Sequence, residues 1–367
     1  MAEGGGAARV AVVAAGGTGG HLFPAEALAR ELGARGWRVV LATDSRGAQY
    51  AGEFPAEERL ALEAATFRAG DLVAMARAAF AIQAGVNRAR KAYRRLRPAV
   101  VCGFGGYPSL PALLAARGRR IPTVIHEQNS VLGRVNRYLA PRVDAVACAF
   151  PILGKATPRI AARTRTVGNP VRPAIRELYG RPYPEPDPSV RLLVTGGSQG
   201  ARLLSEIVPD AVRLLPEDLR VRLRVEQQTR MESMEFARRA YSEAGVEAEV
   251  APFFRNMAKR LDEAHLVIGR AGASTVCELA VAGLPSILVP LAISADNHQW
   301  FNAKVLVDAG AAVSLDERGL TAERVAGVLR EMIEAPGELA RRSAATRAVA
   351  RPDAAEKLAD LVEATAR

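Results

Sequence analysis

An apolar run that opens at once onto a Gly-Gly-hydroxyl turn is written twice in this chain, once in each half. The first copy is Val10-Ala-Val-Val-Ala-Ala-Gly16-Gly17-Thr18-Gly19-Gly20, and the second is Leu192-Leu-Val-Thr-Gly196-Gly197-Ser198-Gln199-Gly200. A glycine turn between a buried strand and a helix leaves backbone N–H groups free at the helix start, where the macrodipole favours negative charge. Each turn is suited to a phosphate. Two such turns in 367 residues predict two α/β domains facing each other across a cleft.

The rest of the pattern agrees with alternating β and α. Pro24 to Leu32 reads as a helix and Trp37 to Ala42 as a strand, and Ala99 to Cys102, Thr123 to His126 and Ala145 to Ala149 read as short buried strands. Helix-length stretches, Leu110 to Ala116 and Leu132 to Ala140, separate them. Such alternation predicts parallel sheets covered on both faces. Between Gly168 and Ser189 lie Pro170 and Pro173 and then prolines at 182, 184, 186 and 188, an extended connection. A second series follows, with strands at Arg191 to Thr195, Arg222 to Glu226, Ala248 to Ala251, Leu266 to Ile268 and Ser286 to Val289. The Ala- and Arg-rich tail from Pro336 on reads as helical.

Apolar residues make up 49% of the chain and charged ones 24%, so a large ordinary core is available. Cys102, Cys148 and Cys277 form no CxxC pair and read as reduced, buried thiols. Met-Ala-Glu-Gly-Gly-Gly lacks a basic segment followed by an apolar one, so the chain is expected in the cytoplasm. Two uncharged stretches, Ala99 to Ala116 and Leu279 to Ala295, are broken by Gly and Pro and cannot be continuous spanning helices. Net charge is +11, and its excess is local: Leu72 to His126 holds ten Lys or Arg and no Asp or Glu. Val86, Ala89, Tyr93 and Leu96 recur there at helical spacing, which leaves Arg88, Arg90, Lys91, Arg94, Arg95 and Arg97 on the other faces. Such a face suits plain solvation, an anionic membrane surface, or nucleic acid.

Several stretches carry chemistry. A dinucleotide fingerprint counted from Gly17 would need glycine at 22, where Leu22 stands, although Asp44 imitates a ribose-binding acid; no P-loop occurs. His21 follows the first turn at a helix start, where it either caps and packs or, kept neutral by the positive dipole end, accepts a proton. Gly103-Phe104-Gly105-Gly106-Tyr107-Pro108 is another glycine turn after a strand, and His126-Glu127-Gln128-Asn129 sets four hydrogen-bonding side chains at a strand's carboxyl end, where open α/β sheets bind ligands. In the second half, Gly269 to Glu278 joins a strand to a helix. Thr275 and Glu278 have capping-box spacing, so Glu278 is either a cap or a carboxylate for ribose hydroxyls. Asp296-Asn297-His298-Gln299 with Asn302 gathers polar groups suited to a sugar, and Phe253-Phe254 either walls a base or packs in the core. No histidine pair has metal-ligand spacing, and no tightly bound metal or cofactor is expected.

Taken in order, Gly16-Gly-Thr-Gly-Gly-His-Leu-Phe-Pro24, Gly105-Gly-Tyr107, His126-Glu-Gln-Asn129, Gly168-Asn-Pro-Val-Arg172, Gly196-Gly-Ser-Gln-Gly-Ala201 and Arg270-Ala-Gly-Ala-Ser-Thr275 with Glu278 resemble the MurG family over nearly the whole chain. These bacterial transferases of glycosyltransferase family 28 move N-acetylglucosamine from UDP to undecaprenyl-diphosphate-linked muramoyl-pentapeptide (lipid I), giving lipid II for peptidoglycan, cell shape and cell division. The resemblance implies a GT-B fold of two Rossmann-like domains. Residues 1–169 would form the acceptor- and membrane-facing domain, with a helix at about 350–367 packing back on it, and residues 170–349 the UDP-sugar domain. It implies Glu278 at the ribose, Phe254 at the uracil through its backbone, Ser198 and Arg172 at the diphosphate, and Gln199 elsewhere in the UDP-sugar site. Thr18, Gly19, Gly20, Asn129, Ala273, Ser274, Thr275, Val276, Cys277 and Gln299 would complete the donor site, with Tyr107 and His126 on the acceptor side. The family inverts the anomeric centre, for which His21 is the base of first choice and Glu127 the second. His298 departs from the pattern, which can have glutamine before Gln299. The implied partners are UDP-N-acetylglucosamine, lipid I, cell-wall synthesis proteins and an anionic membrane, at the cytoplasmic face of the inner membrane as a peripheral protein; Leu72, Met75, Phe80 and Ile82 would add an apolar part to the basic patch.

Two rival readings have tests. A UDP-sugar 2-epimerase of the same fold would need carboxylates for acid and base work and no lipid-facing basic patch. A nucleic-acid binder using Leu72 to His126 leaves the glycine turns unexplained, and 5% aromatic residues give little stacking surface.

Overall fold

Val10-Ala-Val-Val-Ala14 is buried along its whole length, as a strand covered on both faces must be. The computed structural model describes residues 8–16, 19–45, 47, 54–63, 72–197 and 200–366. The chain divides into two units, Met1–Arg172 with Asp353–Arg367, and Pro173–Pro352.

In the first unit seven parallel strands run β1 (Val10–Ala14), β2 (Arg38–Thr43), β3 (Glu58–Ala61), β4 (Val100–Gly103), β5 (Thr123–Glu127), β6 (Ala145–Cys148) and β7 (Thr164–Thr166). Their spatial order is β3-β2-β1-β4-β5-β6-β7. The helices used below are α1 (Gly19–Ala34), α2 (Leu72–Leu96), α3 (Gly106–Gly118) and α4 (Arg134–Leu139). Alternate residues of β1 enter two different cores. Val10, Val12 and Ala14 pack with Val86 and Tyr93 of α2 and Leu113 of α3, whereas Ala11 and Val13 pack with Leu22 and Leu28 of α1.

The second unit repeats the plan with β8 (Val190–Thr195), β9 (Leu223–Gln228), β10 (Glu247–Ala251), β11 (Leu266–Gly269), β12 (Ser286–Leu288) and β13 (Ala312–Ser314), ordered β10-β9-β8-β11-β12-β13 and all parallel. Its helices include α5 (Arg202–Arg213), α6 (Ala273–Ala282) and α7 (His298–Asp308). The two glycine turns therefore follow equivalent strands, β1 and β8, at the point where strand order reverses in each sheet.

The last helix, α8 (Ala354–Thr365), belongs to the first unit. Leu358 and Val362 join the core beneath α1, and Arg35 pairs with Asp360 and Glu363, each at 2.7 Å. Trp37 Nε1 donates to Glu363 Oε1 at 2.8 Å. Two helices start earlier than the sequence pattern suggests. α1 begins at Gly19 and not Pro24, which puts His21 in its first turn and leaves Pro24 inside it, one backbone hydrogen bond short. α3 begins at Gly106 and not Leu110.

Candidate active site

Gly16 closes β1 tightly: a Cβ there would stand 2.8 Å from Asp44 Oδ1 and 2.9 Å from Pro108 Cβ. Asp44 Oδ1 accepts the Gly47 N–H at 2.8 Å, so the buried carboxylate of Asp44 serves its own turn, unlike the ribose-binding acid it imitates in sequence. Gly17 and Thr18 lie outside the described residues.

His21, half-buried beside Gly19 and Gly20 in the first turn of α1, reaches across to the end of β4. Its Nδ1 lies 2.7 Å from the Phe104 carbonyl oxygen. A carbonyl only accepts, so Nδ1 carries the proton and, in the neutral ring, Nε2 holds a lone pair. Gly106, at φ +70°, lies beside that nitrogen: a Cβ there would stand 3.5 Å from His21 Nε2, at van der Waals contact. Left-handed backbone of this kind suits glycine. Tyr107 sits half-buried next to it in the first turn of α3.

The end of β5 supplies the floor. His126 is fully buried, its Nε2–H donates to the Gly168 carbonyl at 2.9 Å, and its ring lies 5.4 Å from that of Phe104. Burial, with a smaller contribution from the nearby His21 charge, pushes its pKa down to about 4. Glu127 is also buried. Its Oε1 accepts from the Asn129 backbone at 3.0 Å and side chain at 3.2 Å, and its Oε2 from the Gly133 N–H and Asn136 Nδ2, both at 2.9 Å. The carboxylate thus ties the loop after β5 to α4. Asn136 Nδ2 also donates to the His126 carbonyl at 3.1 Å, and Gln128 Nε2 to the Phe104 carbonyl at 2.9 Å. Arg172 stands in the first unit with its guanidinium 5.2 Å from the centre of the Phe23 ring of α1. His21, His126, Glu127 and Asn129 are thereby brought into one network at the ends of β1, β4 and β5.

In the second unit, a Cβ on Gly196 would collide with the backbone of Gly200 and Ala201, and Gly197 and Gly200 adopt φ of +75° and +68°. Ser198 and Gln199 lie outside the described residues. The Thr195 hydroxyl donates to Gln228 Oε1 at 2.9 Å and accepts the Gly197 N–H at 3.3 Å, while Gln228 Nε2 donates to the Gly197 carbonyl at 3.2 Å. This clamp fixes the turn to β9.

The capping-box reading of Thr275 and Glu278 does not hold. Gly272 is the N-cap of α6, without a side-chain cap bond, so Ala273, Ser274 and Thr275 form the first turn and Glu278 lies in the second. Glu278, Thr275 and Cys277 are half-buried, and Val276 is buried. Around them, Asn302 Nδ2 donates to the Ala271 carbonyl at 3.1 Å, Gln299 Oε1 accepts the Leu291 N–H at 3.0 Å, and His298 Nδ1–H donates to the Ala295 carbonyl at 2.7 Å. Arg270 pairs with Glu317, whose Oε2 accepts the Ala292 N–H at 2.6 Å. Phe254 is buried with the Arg260 guanidinium 3.8 Å from its ring centre, whereas Phe253 is 63% exposed. Gln228 and Glu317 escape sequence reasoning because their partners come from distant parts of the chain.

On α2 the apolar stripe Val86, Ala89, Tyr93 and Leu96 is buried, and Arg77, Arg88, Arg90, Lys91, Arg94 and Arg95 are exposed, as is Arg97 just past its end. Arg95 pairs with Glu58, and Arg88 lies 3.6 Å from Glu63. The Arg90 guanidinium reaches the end of α3 at Gly118, beside the exposed Arg117, Arg119 and Arg120, which joins the two helices into one basic surface. Val73, Met75 and Phe80 are exposed at its amino-terminal end, Phe80 to 78%. Among the described residues, no helix is long and apolar enough to cross a membrane.

Two units of the same parallel, Rossmann-like order, with glycine turns at equivalent strand ends and a lone-pair imidazole beside one of them, define a GT-B glycosyltransferase. The Glycosyltransferase family 28 N-terminal domain matches residues 11–148, and the family's C-terminal domain matches residues 191–358. The chain belongs to glycosyltransferase family 28 and, within it, to the MurG enzymes. It is 62% identical over 359 residues to the "UDP-N-acetylglucosamine--N-acetylmuramyl-(pentapeptide) pyrophosphoryl-undecaprenol N-acetylglucosamine transferase" of Caulobacter vibrioides strain NA1000, covering 98% of this chain and 99% of that one. Identity to the enzyme of the same name from Phenylobacterium zucineum is 63% over 361 residues, again covering 98% and 99%. The crystal structure of Acinetobacter baumannii MurG superposes with a TM-score of 0.80 at 31% identity, covering 97% of this chain and 99% of that chain.

Proposed function

We propose that this enzyme transfers N-acetylglucosamine from UDP-N-acetylglucosamine to the 4-hydroxyl of undecaprenyl-diphosphate-linked N-acetylmuramoyl-pentapeptide, with His21 as the base. The observation that carries the mechanism is the 2.7 Å contact of His21 Nδ1 with the Phe104 carbonyl, which assigns the proton to Nδ1 and Nε2 to accept. As the 4-hydroxyl oxygen attacks C1 of the donor sugar, its proton passes to Nε2. The C1–O bond to UDP breaks with inversion, and its electron pair leaves on the diphosphate. Glu127 is less suited to this step, because four N–H groups already point at its oxygens.

Glu278 receives the ribose hydroxyls, and the free N–H groups at the start of α6, with the Gly196–Gly200 turn and Arg172, offset the diphosphate charge, so that no tightly bound cofactor takes part. The basic surface of α2 and α3, with Phe80 and Met75, holds the enzyme on the anionic cytoplasmic face of the inner membrane, where the lipid acceptor lies. Tyr107 borders the acceptor, and His126 shapes the site from within the core. UDP release from UDP-N-acetylglucosamine, measured with and without the lipid-linked acceptor, tests the reaction. Release that depends on the acceptor is expected; release without it, or epimerised sugar, would overturn the assignment.

A further inference from the structure

We infer that Gln128 is a positioning residue for the base, acting through the Phe104 carbonyl that it shares with His21. The inference rests on the reading of His21 as base. Phe104 O accepts from His21 Nδ1–H at 2.7 Å and from Gln128 Nε2 at 2.9 Å, so both lone pairs of one oxygen are used. Since a carbonyl only accepts, the Gln128 group facing it is the amide NH2.

This carbonyl stands at a weak point of the backbone. It lies just past β4 and is followed by Gly105 and Gly106, at φ of +79° and +70°, residues that resist rotation of the peptide least. On the β1 side the Phe104 N–H is anchored to the Ala14 carbonyl at 2.9 Å. On the β5 side only a side chain spans the distance among the described contacts of this oxygen, and it is that of Gln128, buried to 2% exposure. Without that tether the peptide is free to turn and the Nδ1 proton of His21 loses its fixed acceptor. The ring then samples the Nε2–H tautomer, which donates where a base must accept. An ionised carboxylate at 128 would set oxygen against oxygen.

The other three histidines serve as internal controls. His126 donates from Nε2 to Gly168, His265 Nδ1 accepts the Arg191 N–H at 2.7 Å and so carries its proton on Nε2, and His298 donates from Nδ1 to Ala295. In 15N-histidine-labelled full-length enzyme above the histidine titration range, His21 is expected to be Nδ1-protonated. Gln128→Met keeps the volume and removes the donor, and Gln128→Glu keeps the shape and reverses the polarity. Both are expected to lower kcat about 10-fold or more, bounded by the whole contribution of a general base, with the KM for UDP-N-acetylglucosamine changed less than about twofold. Both should mix the His21 tautomers while leaving the signals of His126, His265 and His298 in place. A folded variant with wild-type kcat, or one whose His21 stays wholly Nδ1-protonated, overturns the inference; if neither variant folds, an Nε2-protonated His21 in the wild-type enzyme does so. His21→Asn separates the two claims, since its amide keeps the bond to Phe104 and offers no base. Near-normal kcat there refutes His21 as base, whereas lost kcat beside an inert Gln128→Met refutes only the role of Gln128.

Discussion

Replacing Arg90, Lys91 and Arg94 together by Gln isolates the electrostatic part of membrane attachment. All three are exposed on α2, and Gln has nearly the helix propensity of Arg and Lys, so the buried stripe through Val86, Ala89 and Tyr93 is left intact. Arg88 and Arg95 are kept because they pair with Glu63 and Glu58 and so hold α2 against β3. Each basic residue near anionic headgroups contributes about 1 kcal/mol, so the triple change removes about 3 kcal/mol, roughly a 10²-fold fall in partitioning. Co-sedimentation with phosphatidylglycerol-containing vesicles at low salt reads it directly. Salt gives the second reading. At about 0.15 M the Debye length shrinks to about 8 Å, so the wild type should weaken and the triple variant change little. Phe80→Ser should instead reduce binding by a salt-independent amount, up to about 2 kcal/mol, since its ring is 78% exposed in the unbound chain. If the triple variant binds anionic vesicles at low salt as the wild type does, the basic surface is a solvated helix face and the membrane reading of α2 is refuted.

Glu127→Gln should cost about 2–4 kcal/mol of stability, because an amide NH2 would face N–H donors that now meet a carboxylate; unchanged urea stability with lost kcat would make Glu127 a reacting group instead. Glu278→Ala, in the second turn of α6, should raise the KM for UDP-N-acetylglucosamine about 10-fold or more; a fall in Tm with unchanged KM would refute the ribose role. His126, with a folded pKa of about 4 against about 6.5 unfolded, makes the first unit pH-sensitive. As pH falls the unfolded chain takes up this proton first, so stability is whole above about 6.5 and is lost between there and about 4, by up to about 3 kcal/mol. Urea unfolding followed through the buried Trp37 in a Trp300→Phe background should show a lower midpoint at about pH 5 than at about pH 7, and a smaller drop in His126→Gln; an equal drop would place the titration elsewhere.

The buried strands were legible because burial on both faces writes a continuous apolar run, as in β1, β4, β8 and β11. β3, β7 and β13 left no such trace. β7 is Thr-Arg-Thr with no fully buried residue, and it is a strand because β6 pairs with it. At the site, residue types that announce themselves locally were legible: His21 after its glycine turn, and the polar run from His126 to Asn129. What those groups do was hidden, because it depends on partners brought in by the sheet. Gln128 looks in sequence like one more loop amide; its meaning comes from a carbonyl 24 residues away, and that carbonyl's from an imidazole 83 residues before it. The capping-box spacing misled for the opposite reason. Thr275 and Glu278 fit a local rule, but α6 had already started at Ala273, after the extended backbone of Gly272.

Strand order explains why the two glycine turns take different work. β1 has β4, not β2, as its neighbour on one side, and the chain leaves these two strands toward opposite faces: α1 joins the core of Ala11 and Val13, α3 that of Val10 and Val12. A crevice opens wherever neighbouring strands send their helices apart. In the first unit His21 crosses that gap from α1 to the β4 end, so its orientation is set by an element of different origin from its own. In the second unit the matching turn after β8 is tied through Thr195 and Gln228 to β9, on the side away from β11 and α6. One strand order thus ties the histidine of the first turn to one neighbour and the second turn to the other; with the donor placed as proposed above, replacing the clamp residues Thr195 and Gln228 should raise the KM for UDP-N-acetylglucosamine while leaving the His21 tautomer untouched.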